Sequence, residues 1–267
     1  MPTPPEVFFH LGLPKTASTY LQVMVFPRLQ GIRYYRKKYF RHYAEIIGRG
    51  EDRRYLFSCE FDKALEEKLR LIARDFPAAK IILVFRRHDR WIASKYKYYL
   101  RKHGHKDFGD FVDIEGTNGE WLYEDLCYRP KIELAEQLFA HPPLVLTHEA
   151  LRSNPAEFNH KIESFLGCQP RPEGYKSSVV KKAYSLRQLH WVRKLNRAYP
   201  YRKLESSSRF RNRLHYRYRE YLLHTMAFLG RFWPVSKGAE PLLDQKALER
   251  IREVFAEDWE YVKNRKM

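Results

Sequence analysis

The 267-residue chain reads as an α/β protein of three layers, a central parallel sheet flanked by helices, with a basic helical carboxyl-terminal region. Three observations carry that expectation. Short apolar runs at residues 7–9, 54–58, 81–85 and 144–147 have the length of buried strands. Helical patterns separate them, and short connections between strand, helix and strand call for parallel pairing. The length suits a single domain over residues 1–267, with a core over about 5–170 and the basic region over about 171–267.

Taken in order, the first run, Val7-Phe8-Phe9, stops at Gly12-Leu13-Pro14-Lys15-Thr16-Ala17-Ser18-Thr19, and a helix from Ser18 to about Phe26 follows, interrupted by Pro27. Such a strand-to-helix loop has the makings of a phosphate cradle. Gly12 lets the backbone approach an anion, the amides of Thr16 to Thr19 point out of a helix start, Lys15 supplies charge, and Ser18 and Thr19 supply hydroxyls. Lys15 precedes the place a Walker A lysine would hold. Residues 31–43 are basic and aromatic and read as a solvated extension whose tyrosines pack on the core. The strand at 54–58 ends at Cys59-Glu60, and Asp62 is placed to cap a helix with Leu65, Leu69, Ile72 and Phe76 on one face, ended by Pro77.

The run Ile81 to Phe85 delivers Arg86 to a strand's carboxyl end, with Ser94 eight residues later on a helix that begins near Asp89. A guanidinium and a hydroxyl so spaced can converge on one phosphate group. Residues 100–119 look loop-rich, and His103-Gly104-His105 lacks the companion ligands of a metal site. Residues 120–139 read as helical with Pro130 in a first turn, 144–147 as a strand, and Asn154-Pro155-Ala156-Glu157 as the capped start of a helix ended by Gly167. Further on, Leu186, Leu189, Val192 and Leu195 mark a helix whose other faces carry Arg187, Arg193, Lys194 and Arg197; Ser206 to Ser208 precede another basic, tyrosine-rich helix.

Fifty Lys and Arg against 32 Asp and Glu give a net charge of +18, and residues 176–220 alone hold 14 basic and two acidic residues. An anionic partner is implied. Nucleic acid is not expected, because no RNP, zinc-finger or helix-turn-helix signature is present. The three cysteines, Cys59, Cys127 and Cys168, have no metal-ligand spacing and suit a reducing compartment. The amino terminus has no signal-peptide pattern, and the longest apolar segment, 221–233, is too short to span a bilayer. A cytoplasmic location is the expectation, and oligomeric state is left open.

The loop Gly12 to Thr19 resembles the 5′-phosphosulfate-binding loop of sulfotransferases that use 3′-phosphoadenosine 5′-phosphosulfate (PAPS), with Ala17 where most relatives carry Gly. The Arg86 to Ser94 segment is similar to the 3′-phosphate-binding motif of the same enzymes, with His88 where many place Pro. Ser58-Cys59-Glu60 matches their Ser-x-Glu, and the strand followed by His148-Glu149-Ala150-Leu151 and a helix ending Phe165-Leu166-Gly167 resembles a later part of the family. The likeness spans about Val7 to Gly167, with a weaker echo from Tyr184 to Arg197.

That resemblance, nearest to bacterial carbohydrate-type members, implies a P-loop-like fold and PAPS as sulfuryl donor. It implies donor binding by Gly12, Lys15, Thr16, Ala17, Ser18, Thr19, Arg86 and Ser94, catalysis by Lys15 and Glu60, and no metal. Glu60 would be the base, with His10 its rival. The acceptor it implies is a hydroxyl of a glycan or glycolipid; the basic excess points separately to an anionic acceptor and to contact with a membrane surface. Two other functions compete: a nucleotide-dependent phosphotransferase, which lacks the Walker A order and a clear acidic magnesium ligand, and a non-enzymatic polyanion-binding module.

Overall fold

The computed structural model describes residues 4–172, 174–175, 184–201, 208–236 and 241–265. The chain forms two compact units: a sheet unit of residues 1–91, 124–180 and 252–267, and a helical unit of residues 92–123 and 181–251.

In the sheet unit, β1 (Glu6–Gly12), β2 (Arg33–Tyr35), β3 (Arg54–Glu60), β4 (Lys80–Phe85) and β5 (Leu144–Thr147) form one sheet in the order β2-β3-β1-β4-β5. Every pairing is parallel. The strands β1, β3, β4 and β5 are buried on both faces, as their unbroken apolar runs require. On one face Phe8, Leu56, Ile82, Val84 and Leu146 pack with Phe158, Ile162 and Leu166 of the helix Pro155–Leu166. On the other, rings dominate: Phe57 stacks between Phe9 at 5.5 Å and Tyr35 at 5.1 Å. Loops leaving the carboxyl ends of β1, β3 and β4 therefore emerge on one edge of the sheet, where such sheets place their ligands.

The structure follows the expected caps at the helix Pro155–Leu166: Asn154 accepts from the Glu157 amide, and Gly167 closes the helix in the left-handed region at φ 57°. Elsewhere the elements differ from the sequence reading for identifiable reasons. Residues 33–35 are an edge strand rather than solvated extension, too short to show a period, although the expected tyrosine packing is present through Tyr35. The segment after the loop is one α turn, Ser18–Tyr20, then a π turn, Leu21–Val25, and a 3-10 turn, Phe26–Arg28. Pro27 has no N–H for the Val23 carbonyl, and the Arg28 guanidinium takes that carbonyl at 3.1 Å and the Met24 carbonyl at 2.8 Å. Asp62 does not cap the next helix, Leu65–Asp75, whose N-cap is Ala64.

The expected helix over 120–139 is broken at Cys127-Tyr128 into Tyr123–Leu126 and Arg129–Leu138, with Pro130 in the first turn of the second. Tyr128 is drawn fully into the core, and its hydroxyl donates to the Arg86 carbonyl at 2.9 Å. Asp258, on the helix Ala256–Asn264, accepts from the Tyr128 and Arg129 amides at 2.9 and 2.8 Å and lies 2.9 Å from His88 Nε2.

The helical unit is built on the helices Leu186–Ala198 and Arg209–Leu229, which meet through Val192, Leu223 and Ala227. Ser185 and Gln188 form a full capping box at the first, and Ser208 caps the second. Arg193, expected on an outer face, is instead buried and donates to Asp107, as does Arg197. Asn196 donates to the Leu100 and Gly104 carbonyls at 2.9 and 2.7 Å and accepts from the buried Arg219 at 2.7 Å. His103 stacks on Tyr201 at 4.5 Å, the place of a packing histidine. Among the described residues, no helix is long and apolar enough to cross a membrane.

Candidate active site at the strand ends of the sheet

β1 ends at Gly12, and the loop beyond it holds two non-glycine residues in the left-handed region, Lys15 at φ 71° and Ala17 at φ 76°. Alternation of such residues curls a loop and turns amides toward a common centre, which is how backbone nests hold anions. Glycine tolerates that region without cost, so Ala17 keeps the shape at an expense of roughly 1–2 kcal/mol. The hydroxyls of Thr16 and Ser18 are buried and donate to the Leu13 carbonyl at 2.5 and 3.3 Å, tying the loop across itself. Thr19 is exposed at its rim.

Residues after β4 pin this loop from the side. Trp91 Nε1 donates to the Pro14 carbonyl at 2.8 Å, and Arg86 Nη1 donates to the Lys15 carbonyl at 3.3 Å. Arg86 is half-buried, and among the described residues its Nε is buried without a hydrogen-bond partner. Burial lowers its pKa, opposed by Glu149 and reinforced by Arg90 and Arg152. His148 reports the same positive field: burial first, then Arg86, Arg152 and Arg90, bring its pKa down to about 4. Ser94 lies half-buried on the helix His88–Arg101, in the part that belongs to the helical unit.

Glu60 and His10, the two candidate bases, differ sharply. Glu60 pairs in register with Gly12, and the Phe61 amide donates to the Gly12 carbonyl at 3.1 Å, so Glu60 sits beside the loop's first residue. It is half-buried, and among the described residues no hydrogen bond or ion pair engages its carboxylate. His10 is fully buried, with Nδ1 2.8 Å from Ser58 Oγ, which also accepts from Gln22 at 3.0 Å. Burial drives its pKa down to about 3, which leaves a neutral ring with little capacity to take a proton. A Cβ at Gly12 would come within 2.9 Å of His10 Nε2 and 3.2 Å of Ser18 Oγ. His10 is thus one reason position 12 is glycine.

Gly12, Lys15, Thr16, Ala17, Ser18, Glu60 and Arg86 are all brought to the same edge of the sheet unit. Sequence reasoning missed Trp91, which holds the loop, and Tyr128, which holds the Arg86 backbone. It also missed Glu149, whose carboxylate accepts from the Arg87 amide at 3.3 Å. None of these has a local signature; each works on a partner far away in the chain.

No protein-family model and no curated protein matches the sequence. Solved structures do match. A sulfotransferase from Alicyclobacillus acidocaldarius aligns over 70% of this chain and 90% of its own, with a TM-score of 0.53 and 15% identity. Mouse sulfotransferase SULT7A1, solved as a complex with PAP, aligns over 98% of this chain and 89% of its own, with a TM-score of 0.50 and 15% identity. The chain has the fold of the sulfotransferases.

Proposed function

We propose that the protein is a PAPS-dependent sulfotransferase acting on a hydroxyl of a glycan or glycolipid. The single observation that carries this is the junction of the two anion-binding segments: the curled loop bearing Lys15 and the strand end bearing Arg86 share a hydrogen bond at the edge of a sulfotransferase-type sheet.

In this reading the loop from Gly12 to Thr19 holds the 5′-phosphosulfate through its amides and Lys15, while Arg86 and Ser94 hold the 3′-phosphate. Glu60 accepts the acceptor's hydroxyl proton as the new O–S bond forms and the bond from sulfur to the bridging oxygen breaks, releasing 3′,5′-ADP. Lys15 offsets the negative charge that grows on that leaving oxygen. Fixed cationic and backbone donors do the electrostatic work that a metal does in phosphoryl transfer.

An acceptor with negative groups is favoured by a cavity of about 700 Å³ in the sheet unit, bordered by Cys59 and Phe61 on either side of Glu60 in the chain. Lys37, Lys38, Arg41 and Lys68 surround it, and Phe40, Tyr43 and Phe61 give it an aromatic wall. Flat rings suit the apolar face of a sugar, and the cations suit carboxylate or sulfate substituents. Among the described residues no two of Cys59, Cys127 and Cys168 form a disulfide, which supports placing the reaction in the cytoplasm.

The test is calorimetry with 3′,5′-ADP, AMP and ATP. The sulfotransferase reading requires 3′,5′-ADP to bind far more tightly than AMP; a preference for ATP over 3′,5′-ADP would return the protein to the phosphotransferases.

A further inference from the structure

Large exposed apolar side chains are concentrated along one helix of the helical unit. On Arg209–Leu229, Phe210 is 74% exposed, Leu214 58%, Tyr221 67% and Phe228 54%. At about 100° per residue these four fall within about 40° of one another around the helix axis, along a stripe about 27 Å long. The buried residues of the same helix, Arg219, Leu223 and Ala227, lie on the opposite side. One face of the helix is therefore spent on the unit's core, and a second apolar face is turned to solvent. Soluble proteins rarely leave a stripe of this size unoccupied.

The residues around the stripe say what occupies it. Arg217 borders it along its middle, and Arg209, Arg211 and Arg213 flank its amino-terminal half. A second copy of the chain docking on this face would bring together two chains of net charge +18, each adding its own arginines to the seam. An anionic lipid surface has the opposite requirement. Arginines reach its headgroups while the rings and Leu214 enter the boundary between headgroups and acyl chains, an arrangement open to a helix that lies flat on a membrane. We propose that the helix Arg209–Leu229 docks the protein on an anionic membrane surface. This inference does not depend on the enzymatic reading, although it would bring the protein to lipid-linked acceptors.

The experiment is co-sedimentation of the full chain with vesicles of phosphatidylcholine alone and of phosphatidylcholine with 30% phosphatidylglycerol, at low and high salt. Binding to the anionic vesicles should exceed binding to the neutral ones by roughly tenfold or more. Replacing Phe210, Leu214 and Phe228 with Ser should lower the anionic-vesicle binding by roughly tenfold at both salt concentrations, with unfolding transitions unchanged because all three are exposed. The pair Arg213→Glu and Arg217→Glu should remove the preference for the anionic vesicles. Three outcomes overturn the proposal: no binding to either vesicle; binding that the serine triple variant leaves intact and salt abolishes, which is polyanion attraction alone; or a dimer in analytical ultracentrifugation that the triple variant dissociates while vesicles go unbound.

Discussion

The two units use positive charge in opposite ways. At the strand ends of the sheet unit the central cation is Arg86, half-buried, with a buried Nε that no described residue satisfies and a hydrogen bond to the loop carrying Lys15. The helical unit takes most of the segment 176–220, whose 14 basic residues dominate the net charge. Part of that charge is structural: Arg193 and Arg197 both engage Asp107, and Arg219 is buried against Asn196. The density of charge along a sequence therefore does not by itself mark a site. Convergence of a few donors on one strand edge marks a site, because desolvation strengthens each of them, whereas exposed arginines are screened.

The contrast can be broken at its most sensitive point first. Glu60→Gln should lower turnover by about two to four orders of magnitude while nucleotide affinity and fold stay as they are, measured by steady-state kinetics beside calorimetry. Full turnover in that variant would empty the sheet edge of its proposed base. Next in size, Arg86→Ala should weaken 3′,5′-ADP more than AMP by about 2–4 kcal/mol, the worth of a charge-assisted phosphate contact. Equal losses for the two nucleotides would make Arg86 a scaffold residue, like the arginines of the other unit.

The helical unit supplies the reciprocal test. Arg193→Ala removes a buried partner of Asp107 and should destabilise the protein by about 1–3 kcal/mol in urea unfolding, a value reduced from that of a fully buried pair because Asp107 is partly solvated and keeps Arg197. Affinity for 3′,5′-ADP should be untouched. The last test reads a pH slope. Burial lowers the His10 pKa from 6.5 to about 3, so the unfolded chain takes up this proton before the folded one does. The stability His10 contributes is therefore complete above pH 6.5 and is lost as pH falls toward 3. Urea midpoints measured from pH 7 downward should show His10→Gln losing about 1.4 kcal/mol less per pH unit than the parent chain. An identical slope in the two proteins would mean that the ring is already charged in the fold and would reopen it as a base.

Much of this molecule was readable before any coordinate, because its signals are local. The runs at Val7-Phe8-Phe9, Ile81 to Phe85 and Leu144 to Thr147 are apolar enough to demand burial on both faces, and they are strands. Asn154 and Gly167 bracket their helix by side-chain and backbone chemistry that needs no distant partner. The loop from Gly12 to Thr19 and Arg86 stand out for the same reason: their residue types and places already put donor groups at strand ends. Only the folded chain decided the rest. The edge strand Arg33–Tyr35 has too few residues for a period and exists because β3 offers it hydrogen bonds. His10 is desolvated in an environment that includes Ser58, 48 positions away; Arg86 meets the Lys15 carbonyl across 71 positions, and His88 meets Asp258 across 170. Periodicity and capping are properties of neighbours along the chain, whereas desolvation and ion pairing depend on which distant groups the sheet and its packed helices bring within a few ångströms, and sequence spacing carries no record of them.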